Sequence, residues 1–398
     1  MFPYCFEEFT RESWEQSPLW MQRSNPAFLD GLLTLEDLDH YVSSTALDEA
    51  ALRVARYDGL AVGAYLQESK SSRRRLIDPE AVLDSFADGS TLIFNALDIF
   101  HEPLGTFCRS LEKAFCCSVQ ANVYLSPPGH QGFAPHFDTH DVFVLQVHGE
   151  KQWKLYGSSL ELPLPKQRLA SERRAFDKPE TTIDLRCGDV LYIPRGHVHE
   201  GIAKRETSCH ITLGFHTATV AALFQELLDD LASEEVTLRK SLPLSNAVDL
   251  GLSSPDVQTL QQIANRLFEE NRLQACLDRL SDKHNTSRRV HQAKRLVSLS
   301  SVSELSVDSL VDIRPGLVFH FEHVGDSIRL CLADRDIEFP AHVETPLRAL
   351  LRSGAKRIGS LPGDLDGPGK IVLVKRLVCE HVLTAVAANS GSPCSRSS

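Results

Sequence analysis

From about residue 90 to residue 215 the chain runs in short apolar stretches: TLIFNAL, ANVYLS, DVFVLQV, QWKLY, DVLYIP and HITLGF. They are rich in Val, Ile, Leu, Phe and Tyr and are punctuated by Gly, Pro and Asp, the pattern of β-strands. Many short strands at this spacing predict a sandwich or a barrel. Residues 1 to about 45 read as helical, with Trp14, Pro18, Leu19 and Trp20 placed to pack an edge of the next domain. KSSRRR, Lys70 to Arg75, reads as a solvated basic loop.

After Phe215 the period changes to that of helices. Val220, Leu223, Phe224, Leu227, Leu228 and Leu231 form one apolar stripe, and Val257, Leu260, Ile263 and Leu267 a second. These faces must bury against the chain itself or against a second copy of it. Residues 282–295, with Lys283, Arg288, Arg289, Lys294 and Arg295, read as an exposed basic linker. A compact α+β pattern then restarts. LVFHFEH and SIRLCLAD flank Val324, Gly325 and Asp326 as a hairpin; a helix carrying Pro346, Leu347, Leu350 and Leu351 follows, then KIVLVKRLVCEHVL. The expected boundaries are 1–217 for the β-domain with its N-terminal helices, 218–300 for a helical region, 301–390 for a small winged-helix-like domain, and 391–398 for a disordered tail.

The 398 residues suffice for two to three domains, and 42% hydrophobic with 24% charged content excludes wholesale disorder. With 42 Lys and Arg against 53 Asp and Glu the net charge is -11. That balance disfavours nucleic acid and anionic lipid and suits a basic partner, although plain solubility accounts for it equally well. Residues 301–398 carry 11 Lys/Arg and 12 Asp/Glu, so the last domain lacks the basic face of a DNA-binding winged helix. No direct nucleic-acid binding and no membrane association are expected. The start, MFPYCFEEFT, is not a secretory signal, and the ten cysteines, among them Cys5, Cys108, Cys187 and Cys276, form no CxxC pair. Reduced thiols and a cytoplasmic location are the expectation.

The candidate chemistry lies in PHFDTHD and GDVLYIPRGHVHEG. His136 and Asp138 are two residues apart, which on a strand aims both side chains at one point. His197 and His199 follow a later strand end. Two imidazoles and one carboxylate on one side of an ion form the facial triad of non-haem Fe(II) oxygenases, although the same donors suit Mn, Co, Ni and Zn. Alone, an HxD pair is common by chance. Lys151, in VFVLQVHGEKQWKLY, is either a solvated strand-end lysine or a buried partner for the remote carboxylate of a dicarboxylic acid.

HFDTHDVFVLQVHGEKQW followed by GDVLYIPRGHVHE resembles the Jumonji C 2-oxoglutarate oxygenases, in particular their ribosomal oxygenase branch of protein hydroxylases. The likeness is dense over about 120–215 and weaker outside it. It implies a mainly β catalytic core, a double-stranded β-helix of the cupin type, with flanking helices, a helical dimerisation region and a winged-helix-like C-terminal domain. It implies Fe(II), with 2-oxoglutarate and O2 as cosubstrates. On the matching positions, His136, Asp138 and His199 are the metal ligands, the PRGxxH spacing selecting His199 over His197. Lys151 holds the cosubstrate's C5 carboxylate and Asn122 contacts the cosubstrate. The family's Ser or Thr near the end of HITLGF has no clear counterpart, since this chain has Thr212 and then Gly214. His140 belongs to the pocket wall, His210 to the core or the pocket, and Tyr124 and Gln146 to the pocket lining.

The implied reaction is hydroxylation of an Arg, His or Asn side chain in a protein, with a basic ribosomal protein as a candidate substrate and a homodimer as the assembly. The alternatives are hydroxylation of a small peptide or metabolite, lysine demethylation, and a non-catalytic cupin-like binding module.

Overall fold

The computed structural model describes residues 6–23, 25–57, 59–60, 65–68, 75–167, 176, 178–241, 254–287, 295–332 and 335–386. Cys5, most of the Lys70–Arg75 cluster, Arg288, Arg289, Lys294 and the tail from 391 lie outside the described residues. The chain divides into two compact units, Met1–Thr217 and Ala218–Ser398. No described helix is long and apolar enough to cross a membrane.

The first unit runs α1 (Phe6–Glu12), β1 (Leu19–Met21), α2 (Leu35–Ser44), β2 (Leu52–Arg56), β3 (Gly59–Leu60), β4 (Leu66–Glu68), β5 (Arg75–Ile77), α3 (Pro79–Ala87), β6 (Thr91–Phe94) and α4 (Glu102–Phe115). It continues with β7 (Ser118–Ser126), β8 (Asp141–His148), β9 (Glu150–Ser158), β10 (Thr181–Arg186), β11 (Val190–Ile193), β12 (His197–Ala203) and β13 (Ser208–His216). Eight strands form one sheet in the order β1-β11-β8-β13-β7-β6-β2-β3, and β10-β9-β12 form a second, smaller one. Helix starts follow local chemistry. Thr34 and Asp37 cap α2 reciprocally, and Asp78 caps α3 ahead of Pro79.

Strand β8 shows why its stretch is apolar at nearly every position. Val142 and Val144 join Trp153, Leu155, Ile183, Leu185, Leu191 and Ile193 in one cluster that draws on both sheets. Phe143 and Leu145, on its opposite face, join Phe9, Leu38, Val82 and Leu104 from the helices. A strand covered on both faces cannot alternate apolar with polar.

The structure departs from the sequence expectation near the N-terminus. Residues 1 to about 45 are not helical throughout: β1 interrupts them and pairs with β11, Leu19 opposite Tyr192, while Trp14 stacks on the Tyr192 ring at 5.7 Å. A three-residue strand is too short for any periodicity to show. Its stability comes from completing the open hydrogen-bond edge of a sheet that already exists.

The second unit contains α5 (Val220–Glu234), α6 (Ser254–Asn265), α7 (Glu270–Ser287), α8 (Arg295–Ser301), β14 (Leu310–Ile313), β15 (Phe319–Val324), β16 (Ser327–Leu332) and β17 (Asp336–Pro340). It ends with α9 (Glu344–Leu350), β18 (Lys356–Arg357), α10 (Gly367–Cys379) and β19 (Leu383–Ala385). Two three-stranded sheets, β18-β14-β19 and β15-β16-β17, share an apolar core with α9 and α10. The hairpin at Gly325 forms as expected. The basic linker does not start at 282, because α7 runs to Ser287. Its cations face the acidic residues of α5: Arg279 bonds Glu226 and Asp230 at 3.0 and 2.6 Å, Arg272 bonds Glu234 at 2.7 Å, and Lys283 pairs with Glu226. On α5 the apolar stripe divides, with Leu227 and Leu231 buried and Val220, Phe224 and Leu228 exposed.

Candidate active site

Between the two sheets of the first unit lies a pocket of about 520 Å³, its mouth included. The large sheet contributes Thr91, Tyr124, Val142, Val144, His210 and Thr212, the small sheet Lys151, Trp153, His199 and Gly201, and the β7–β8 connection Gly132, Phe133, His136 and Asp138.

One ligand atom each of His136, Asp138 and His199 lies within 4.8 Å of the other two. His136 and Asp138 sit on an extended loop rather than the expected strand, and His136 is held there by an isolated antiparallel bridge to His199. His136 Nδ1 is 2.9 Å from the Ala134 carbonyl and His199 Nδ1 is 3.0 Å from the His197 carbonyl. A carbonyl only accepts, so both Nδ1 atoms carry the proton and both Nε2 lone pairs remain for an ion. The Asp138 carboxylate reaches His199 Nε2 at 3.6 Å. Burial alone would raise Asp138, but His199, His136 and His140 around it hold it below the usual carboxylate range. Burial and His136 pull His199 down to about 4, against the opposing pull of Asp138. A carboxylate and two imidazoles held through Nδ1, with Nε2 left to ligate, are the donor set for a divalent metal.

Lys151 also lines the pocket, 3% exposed, and its Nζ donates to Ser126 Oγ at 3.0 Å. Ser126 Oγ lies 2.9 Å from Thr91 Oγ1. Among the described residues no carboxylate pairs with Lys151. Burial pulls its ammonium down to about 7, with Cys209 opposing. A cation placed in a dry pocket beside hydroxyl groups and no anion is a receptor for one.

Residues 99–223 match the JmjC domain family. The chain is a JmjC-domain protein, ribosomal oxygenase-like. It is 31% identical over 308 residues to the bifunctional lysine-specific demethylase and histidyl-hydroxylase NO66 of Drosophila willistoni, covering 70% of this chain and 38% of that protein. It is 30% identical to ribosomal oxygenase 1 of Gallus gallus, over 69% of this chain and 48% of that protein. The chain spans less than half the length of these curated relatives. Among solved structures, E. coli ycfD is similar over 97% of this chain and 99% of its own, at 18% identity and a TM-score of 0.55. The ycfD complex with cobalt and 2-oxoglutarate gives a TM-score of 0.53 at 17% identity. At those identities the likeness speaks for the shared fold.

Other expected residues of this JmjC domain fall in several places. Tyr124 and Thr212 line the pocket. Asn122 is on β7 two positions from Tyr124 but is not among the lining residues. Its Oδ1 accepts from the Ala96 N–H at 2.9 Å and from Gln120 at 3.2 Å. Gln146 does not line the pocket either, because its amide nitrogen is drawn to the His148 carbonyl and Ser208 Oγ at 2.7 and 2.9 Å. His197 stands apart from the metal group, and a register shift between His197 and His199 separates the two rings along β12. His140 packs on His216, ring centroids 4.8 Å apart, and a side chain at Gly214 would meet His140 Nε2 at 2.7 Å. The imidazole thus takes the space that a Ser or Thr at 214 would fill. His210 does line the pocket, stacked on Tyr124 at 4.9 Å and edge-on to Trp153 at 5.2 Å.

Sequence reasoning missed Thr91, Ser126 and Glu200. The alternation Asn122, Tyr124, Ser126 along β7 was the available signal for Ser126. Glu200 is 6% exposed and accepts from Tyr156 at 2.7 Å and from Gln131 and Lys154 at 3.0 Å each. It ties the loop that carries the metal group to β9 and β12. Nothing in the local sequence marks it, since its partners come from two distant segments, the β7–β8 connection and β9.

Proposed function

We propose that this chain is a 2-oxoglutarate-dependent oxygenase that hydroxylates an amino-acid side chain in a protein. The observation that carries the reading is the meeting of two features in one pocket: a His-Asp-His group, and a buried lysine that no carboxylate pairs among the described residues. His136, Asp138 and His199 would hold Fe(II), which when bound supplies the activation of O2. The residues of the chain do the rest. The Nδ1–H groups of His136 and His199 donate to the Ala134 and His197 carbonyls and fix both rings. Lys151 on β9 binds and orients the distal carboxylate of the cosubstrate beside Ser126 of β7, whereas Asn122, expected to contact the cosubstrate, is held by the Ala96 N–H outside the pocket lining. Phe133, Val142, Val144 and Trp153 keep water out.

That the relatives include a histidyl-hydroxylase and a ribosomal oxygenase supports a histidine or other side chain of a ribosomal protein as the substrate class. The net charge of -11 supports a basic partner of that kind. Lysine demethylation is the second reading, supported by the name of the NO66 relatives. A cytosolic homodimer belongs to the first reading, with Val220, Phe224 and Leu228 as exposed apolar surface that a second copy would cover. Dependence on Fe(II) and an Arg, His or Asn target complete it.

The test is succinate formation by iron-loaded protein with and without purified ribosomal proteins, read with intact-protein mass spectrometry. A gain of one oxygen atom on one protein supports the reading. Loss of methyl groups from a methyl-lysine peptide in its place supports the second, and no succinate with iron bound overturns both.

A further inference from the structure

The second unit carries a separate cluster of donors on the sheet β15-β16-β17. His320 and Glu322 are two apart on β15 and so share a face, and His320 lies directly opposite Cys331 on β16. Cys331 in turn lies opposite Asp336 on β17. One imidazole nitrogen, one carboxylate oxygen and the sulfur of His320, Glu322 and Cys331 fall within 4.8 Å of one another. His320 Nε2 and Glu322 Oε1 are 3.3 Å apart, and Cys331 is 7% exposed beneath them.

We propose that His320, Glu322 and Cys331 form a second metal site, distinct from the His-Asp-His group, that takes a borderline divalent cation of the zinc class, with Asp336 as a neighbouring carboxylate. The donor chemistry separates the two sites. The first offers nitrogen and oxygen only, whereas a thiolate beside an imidazole and a carboxylate prefers the softer zinc to iron or manganese. Charge agrees. Glu322, Asp336 and, once deprotonated, Cys331 carry negative charge that the ion would offset, while Arg329, 3.5 Å from Glu322, stands opposite Glu338 on β17. Binding would release the thiol proton and clip β15 to β16 through side chains as well as through the backbone ladder. This inference stands whether or not the first unit is an oxygenase.

The experiment uses the full chain with His136→Ala, which removes a ligand from the first site, titrated with Co2+. One cobalt per chain with a thiolate-to-cobalt charge-transfer band is expected. Zn2+ should displace the cobalt and erase the band. Adding Cys331→Ser or, independently, His320→Ala should abolish both band and binding; His320 is exposed, so the second change leaves the fold in place. The chain has ten cysteines. A band that survives Cys331→Ser would therefore belong to another thiol and overturn the proposal, as would a His136→Ala chain that binds no cobalt.

Discussion

The amide of His136 donates to the carbonyl of His199 at 3.1 Å, and the amide of His199 donates back to that of His136 at 2.8 Å. This one bridge locks a loop residue to a strand residue, and each ring then spends its Nδ1 proton on a backbone carbonyl nearby. Both Nε2 atoms are thereby aimed before any ion arrives, which lowers the ordering cost of binding one.

Replacing Asp138 with Ala should therefore abolish tight metal binding and turnover while leaving the fold, since the bridge involves neither its side chain nor its backbone. Isothermal titration with Co2+ or Fe2+ alongside circular dichroism checks it. Retained turnover would exclude the assigned ligand set.

Lys151→Met trades function for stability. Among the described residues the ammonium has no anionic partner, and an apolar side chain of similar length removes the cost of burying it. The variant should unfold at a higher denaturant concentration than the parent. Its KM for 2-oxoglutarate should rise about 30-fold or more, the equivalent of losing ~2 kcal/mol of a buried charge-assisted contact.

The same lysine sets a pH dependence. Its value falls from 10.5 to about 7 on folding, through burial. Below that the ammonium is present and receives a carboxylate; above it the free enzyme must first take up a proton, so KM for 2-oxoglutarate should climb with pH. Between the two values the unfolded chain binds more protons than the folded one, so this group's contribution to stability increases with pH across that window. Lys151→Arg should flatten the KM profile because guanidinium keeps its charge.

Gly196 has φ +86°, and a Cβ there would sit 2.0 Å from the Leu160 carbonyl oxygen. Its N–H donates to the Asp138 carbonyl at 3.0 Å, so the turn before His197 and the metal loop share this residue. Gly196→Ala should cost more than ~2 kcal/mol and weaken metal affinity in parallel. Chemical denaturation and a metal titration on the same variant read both, and a drop in stability without weaker metal binding would uncouple the turn from the site.

Glu200→Ala leaves Tyr156, Gln131 and Lys154 without their common acceptor. A loss of about 2–3 kcal/mol is expected from the stranded partners. Hydrogen exchange should localise the loosening to the β7–β8 connection; protection unchanged there would show that the loop is held by other contacts.

His136, Asp138, His199 and Lys151 were legible in the chain because their motifs sit beside strong strands, and six strands were legible because their apolar runs are long. Strands β10 and β12 escaped notice: TTIDLR and HVHEGIA spend positions on charge, histidine and glycine, and on β12 His199 and Gly201 are the positions that line the pocket. The sequence by itself determined the donor types, their order and the change from strand to helix period near Phe215, since these depend on neighbours in the chain. Only the tertiary structure decided that the backbone of His136 bridges that of His199, that Ser126 and Thr91 stand by Lys151, and that Glu200 joins its own strand to β9 and to the β7–β8 connection. Those relations rest on register across strands distant in sequence, where a shift of one residue turns a side chain to the other face.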